Sequence, residues 1–154
     1  MALKETLFLV LLAIHLVAAA IWVGGLLFFI FAVVPAARTA PDADIPARLG
    51  RAFRPVAWVA LGTLVVTGPL LLFIQGLGAA VLRLGFWRSP FGVTLGVKVI
   101  LVVTVLALTL WHDIVLGPRS QMVSDPGPSR RVGRAIGLLS LVIFLAGMAL
   151  AQGF

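Results

Sequence analysis

Apolar residues fill the chain in long runs, and short polar stretches separate them. Residues 6–34, 55–76, 92–117 and 132–152 are apolar almost throughout. A helix needs about 20 such residues to cross a bilayer. The pattern therefore predicts four transmembrane helices over those spans, an all-α integral membrane four-helix bundle forming a single domain over residues 1–154. Pro35 and the polar segment up to Gly50 end the first span. In the second, Thr67, Gly68 and Pro69 predict a kink, because proline removes a helical hydrogen bond. Residues 77–91 form a half-polar connector in which Phe86, Trp87 and Arg88 suit a membrane interface. Gly92 with Gly96, Gly133 with Gly137 and Gly147 with Ala151 predict close helix contacts. No internal repeat stands out.

The start of the chain has the outline of a secretory signal: Lys4, an apolar run, then Ala18, Ala19 and Ala20. The run continues through Trp22 to Val34, well past the ~7–15 residues of a signal core. A retained first span is expected.

Composition sharpens this reading. Only 11% of residues are charged and 62% are hydrophobic, whereas a soluble domain carries about 25% charged residues. There is no cysteine, which excludes disulfides, thiolate metal sites and Cys-linked haem. The net charge of +7 does not point to nucleic acid, because the basic residues sit in loops beside apolar spans, where they set topology and meet anionic lipid. The loops after the first and third spans, with their flanks, hold Arg38, Arg48, Arg51, Arg54, Arg119, Arg130, Arg131 and Arg134. The other side holds Lys4, Arg83 and Arg88. The bias places both arginine-rich loops in the cytoplasm and both termini outside, in a multi-pass protein of the cell (inner) membrane.

Few residues within the spans could carry chemistry. His15 lies about 14 Å into the first span, and Lys98 about 9 Å into the third, counted at 1.5 Å per residue. Those two spans run the same way, so the two residues are expected at similar depth. Trp22 shares the face of His15. Lys98 and His112, with Val102, Val105 and Thr109 between them, share a face of the third span. An intramembrane lysine costs about 2.5–3.5 kcal/mol on the insertion scale, unless it is used or snorkels to the interface. His112 stands about 30 Å along the third span, too far from His15 to share one ligand. With Trp111 and Asp113 it reads as an interfacial anchor. His112 and Asp113 point about 100° apart on a helix and are not expected to pair. Thr67 and Gln75 could line a polar cavity, although Thr67 more readily bonds back to its own helix.

His15 followed by Trp22, Val23, Gly24 and Gly25, then Thr67 and Gly68, then Lys98 and His112, resembles the copper resistance protein D family. The chain is also similar, more distantly, to the HemJ-type protoporphyrinogen oxidases, four-helix membrane proteins that bind haem b. That second resemblance implies functional roles for His15 and Lys98. Val34, Pro35, Ala36, Ala37 and Arg38 depart from the oxidase pattern, so it implies the haem more than the oxidase chemistry.

Two functional readings follow. In the first, the protein binds haem b: His15 and Lys98 supply axial nitrogens, Trp22 and neighbouring apolar residues a slot, and Arg83 and Arg88 cations for the propionates. Its role would be that of a membrane oxidoreductase, transferring electrons with quinone or oxidising a porphyrinogen. In the second, the protein moves copper across the membrane. Copper(I) prefers sulfur ligands, yet the chain has no cysteine and its methionines, Met1, Met122 and Met148, are scattered. A copper route therefore needs a homo-oligomer or a partner. A cofactor-free structural bundle is the bland alternative.

Overall fold

The computed structural model describes residues 2–37, 45–116 and 127–151. All regular structure among them is helical. Four helices are long and apolar enough to cross a membrane: Ala2–Ala36, Ile45–Ile74, Pro90–Leu116 and Arg131–Met148. The all-α, membrane-spanning class expected from the sequence is what forms. Gly117, Gln152, Arg38 and Arg119 lie outside the described residues. The chain divides into two compact units, residues 1–86 and 87–154.

The first unit pairs helix α1 (Ala2–Phe28) with helix α2 (Ile45–Ile74). Past Phe28 the chain passes through a wide π turn, Phe29–Val33, and a last α turn, Val34–Ala36. The pair is antiparallel, since His15 meets Thr67 while Gly25 meets Phe53. On α1 the buried residues are Ala18, Ala19, Trp22 and Val23, and on α2 they are Ala60, Leu61 and Thr67. The α1 set recurs at three- and four-residue spacing, and Ala60 and Thr67 on α2 are seven apart, two helical turns, which puts each set on one helical face. Small residues in these faces let the backbones approach. A Cβ added at Gly25 would run into the Phe53 ring, and Phe53 in turn leans on Phe29, with ring centroids 5.9 Å apart.

Helix α2 begins ten residues before the expected span, at Ile45 rather than Pro55. Ile45, Leu49 and Phe53 recur every four residues and continue the α1-facing stripe, so the arginine-bearing stretch between them is helical too. Pro55 and Pro69 both lie inside the helix, which runs without interruption from Ile45 to Ile74. Its end is sharply defined. Leu77 N–H donates to the Leu72 carbonyl and Gly76 N–H to the Phe73 carbonyl, each at 3.0 Å. Gly76 has φ +83°, the left-handed conformation this cap demands and glycine adopts freely. Gln75, next to the cap, is exposed.

The connector carries two 3₁₀ turns, Ala80–Leu82 and Phe86–Arg88, in place of a continuous amphipathic helix. Their glycine-rich setting explains the shortness: Gly76 precedes the connector, Gly78 and Gly85 fall within it, and glycine costs ~1 kcal/mol in a helix interior.

The second unit pairs α3 (Pro90–Trp111) with α4 (Gly127–Ala151). Ser89 caps α3 by accepting from Gly92 N–H at 3.0 Å, and Pro90 occupies the first turn, where its missing N–H goes unused. Trp87 packs on Gly96, where a Cβ would lie 3.4 Å from the indole. Gly92, Leu95, Val105 and Thr109 are buried on α3. Ile136, Gly137 and Ser140 are buried on α4. Leu9, Val59, Phe73, Ile100 and Leu138 are each more than half exposed. In water such a surface would aggregate, whereas hydrocarbon is its natural solvent.

The contact at Gly25 yields a test. Gly25→Leu should destabilise the detergent-solubilised protein by about 1–3 kcal/mol, the usual cost of overpacking, and Phe53→Ala in the same chain should restore part of it. Unchanged thermal unfolding in Gly25→Leu would mean the pair does not pack through this glycine.

Candidate functional site

Within the first unit, the bonding around His15 is the most specific polar arrangement. His15 is half-buried on α1, and its Nδ1 lies 2.6 Å from Thr67 Oγ1 on α2. Thr67 is 5% exposed, and its Oγ1 donates to the Thr63 carbonyl at 2.7 Å. A hydroxyl has one proton. With that proton given to Thr63, Thr67 can only accept from the histidine, so Nδ1 carries hydrogen. In the neutral ring the lone pair then sits on Nε2, the nitrogen a metal or haem iron would take. Gly68 adjoins the ring: a Cβ there would stand in ordinary contact, 3.8 Å from His15 Cε1. Sequence reasoning gave Thr67 its back-bond correctly but missed it as the partner of His15, since nothing local links residues 52 positions apart.

Trp22, assigned to an apolar slot, is 4% exposed and belongs to the buried face of α1. Arg83 and Arg88 are both exposed in the connector.

In the second unit Lys98 is half-buried near the start of α3, against the far part of α4. A Cβ built on Gly147 would lie 3.1 Å from Lys98 Nζ and 3.9 Å from its Cε. The bare backbone at Gly147 thus makes room for the amine, a partnership the sequence hinted at only through the glycine itself. Val105 and Thr109, expected on the Lys98 face, are both buried. Among the described residues Thr109 Oγ1 is buried without a hydrogen-bond partner.

His112 and Asp113 correct an expectation. Their side chains meet, with Nδ1 and Oδ1 3.4 Å apart. They open a π turn, His112–Leu116, and side chains that leave the backbone about 100° apart still converge when both bend along the wider turn.

Among the described residues no group of three or more His, Cys, Asp or Glu could hold a metal ion. The chemistry available is one oriented imidazole in the first unit, one amine lodged against a glycine in the second, and a His–Asp contact at the end of the third span.

Four apolar helices carrying these few polar groups define a multi-pass helical membrane protein. The sequence model of the copper resistance protein D family matches residues 47–152, more than half of the chain, and the chain belongs to that family. Thr67, Lys98 and His112 fall inside the match, and His15 precedes it. No curated protein and no solved structure matches the chain.

Lys4 and Lys98 are the two lysines of the chain, which allows a direct test of the Gly147 contact. Gly147→Leu should evict the Lys98 amine and raise its labelling by an amine-reactive reagent in detergent, with Lys4 as the internal reference. Equal Lys98 labelling in both proteins, read by mass spectrometry, would count against the contact.

Proposed function

We propose that this protein handles copper at the membrane and that the imidazole of His15 is the intramembrane nitrogen that meets the ion. Family membership supports the copper role. The observation that carries the role of His15 is its bond to Thr67, which sets the ring's tautomer and leaves the lone pair of the neutral ring on Nε2. Imidazole is a competent copper ligand. One nitrogen does not make a resident copper centre: the chain has no cysteine, and among the described residues no group of three or more His, Cys, Asp or Glu supplies the rest. Copper is therefore read as cargo in transient contact with His15, with further ligands coming from a second copy of the chain or a partner.

The test is copper tolerance of cells expressing the chain, together with metal analysis of the purified protein. Expression should shift the copper concentration that halts growth, and His15→Ala should abolish most of that shift while the protein still accumulates in membranes. An undiminished shift in His15→Ala would remove His15 from the pathway. A haem b reading draws on the same bond, because a single imidazole of fixed tautomer also suits an axial haem ligand. That reading would assign electron exchange with quinone or oxidation of a porphyrinogen. A Soret band in the purified protein that disappears in His15→Ala would decide for haem.

We also infer that both arginine-rich loops face the cytoplasm of a cell (inner) membrane, which leaves both termini outside. A tag after Phe154 should be cut by protease added to right-side-out vesicles; full protection there would invert the orientation.

A further inference from the structure

We propose that the connector between α2 and α3 is a membrane-inserted foot: Leu82 and Leu84 enter the acyl chains of one leaflet, and the guanidinium of Arg83 pairs with a lipid phosphate. The foot shares no residue with the copper reading of His15.

The connector is exposed yet internally bonded. Leu82 and Leu84 are 85% and 86% exposed, more than any other large apolar side chain among the described residues. The backbone beneath them is held in place. Ala80, Arg83 and Phe86 N–H each donate to the carbonyl three residues back, at 3.0 Å. Arg83 itself is extended, with φ −96° and ψ 127°. In extended backbone, successive side chains point to opposite sides. Leu82 and Leu84 therefore leave the chain on one side and Arg83 on the other.

The two ends of the connector decide what that apolar side meets. A loop standing out in water would hold both leucines against solvent. This one turns back along its own helices. After the left-handed turn at Gly76, the chain at Gly78 sits beside Phe73, where an added Cβ would lie 3.0 Å from the ring. Phe73 is an exposed apolar residue in the last turn of α2. At the other end Trp87 comes before α3 in the chain, but its indole packs on Gly96, about 9 Å along that helix from Pro90 at 1.5 Å per residue. Indoles favour the boundary between hydrocarbon and headgroups. Each arm thus runs beside the outermost turns of the span it joins. At that depth leucine finds acyl chains and arginine finds phosphate.

Charge agrees with this placement. No Asp or Glu occurs from Ile45 to His112. Arg83 is exposed, and among the described residues no carboxylate pairs with it. A guanidinium binds phosphate through two parallel hydrogen bonds, and its long stem can lie along apolar surface while the charge reaches the headgroups. A partner protein would cover two leucines equally well, but has no use for a loop folded back at both ends along membrane-spanning helices.

The chain has no cysteine, so single labels can be placed without background. Leu82→Cys, Arg83→Cys and Leu84→Cys, each carrying an environment-sensitive fluorophore, are reconstituted as whole chains in phosphatidylcholine vesicles. The labels at residues 82 and 84 should be quenched severalfold more by phosphatidylcholine bearing a nitroxide on its acyl chain than by aqueous iodide, and the label at residue 83 should show the reverse. Adding Arg83→Glu to the Leu84→Cys chain should raise its iodide quenching, whereas Arg83→Lys should not. Iodide quenching at residues 82 and 84 equal to that at 83, or unchanged by Arg83→Glu, in chains that unfold at the wild-type temperature, would overturn the proposal. So would leucine labels shielded from iodide in native membranes but not in pure lipid, since the cover would then be a partner protein.

Discussion

A hydroxyl surrounded by hydrocarbon has to place its proton on something within reach, and this constraint organises the polar interior of the chain. Thr6, Thr63, Thr94 and Thr104 each donate to the carbonyl four residues back, at 2.8–3.0 Å. Thr67 does the same and then becomes an acceptor across the helix pair. Because its proton is already committed, the tautomer of His15 is set by a neutral neighbour rather than by a carboxylate. No buried charge is needed to orient the ring, which matters where an unpaired charge costs several kcal/mol. Thr109 is the exception among these threonines, buried with no partner among the described residues.

The helix pairs rest on small side chains more than on large ones. Lipid tails are as apolar as leucine, so burying leucine against a helix gains little over leaving it in lipid, and close backbone approach does the holding. Ala18, Ala19 and Ala60 in the first unit, and Gly92 and Gly137 in the second, are buried for that reason. Glycine serves three separate purposes here. It admits an aromatic ring at Gly25, leaves room for an amine at Gly147, and permits the left-handed cap at Gly76.

The four spans were legible because apolar runs of membrane length have no competing explanation, and the second ended near Gly76 as expected, whereas α3 starts at Pro90, two residues before the expected Gly92. The start of α2 was not legible. Pro55 looks like a boundary, but the stripe of Ile45, Leu49 and Phe53 overrides it once it has α1 to pack on. Buried faces were harder still. A helix in lipid is apolar on every side, so periodicity no longer marks the inward face as it does in water. Thr67 lay in a recognised stretch, but its pairing with His15 depends on how two helices align, and sequence spacing carries no information on that alignment. The contact of His112 with Asp113 does not follow from ideal α geometry, because the chain forms a π turn there.

The His15, Thr67, Thr63 chain also has a terminus, and the nature of that terminus separates two kinds of membrane histidine. A conducting wire for protons needs each member to accept on one side and release on the other. Here the last member is a backbone carbonyl, which has no hydrogen to hand on and does not take one at physiological pH. Protons therefore cannot hop from the imidazole through Thr67. On its Nδ1 side His15 is a closed end, so the threonine opens no leak for a proton gradient across the membrane.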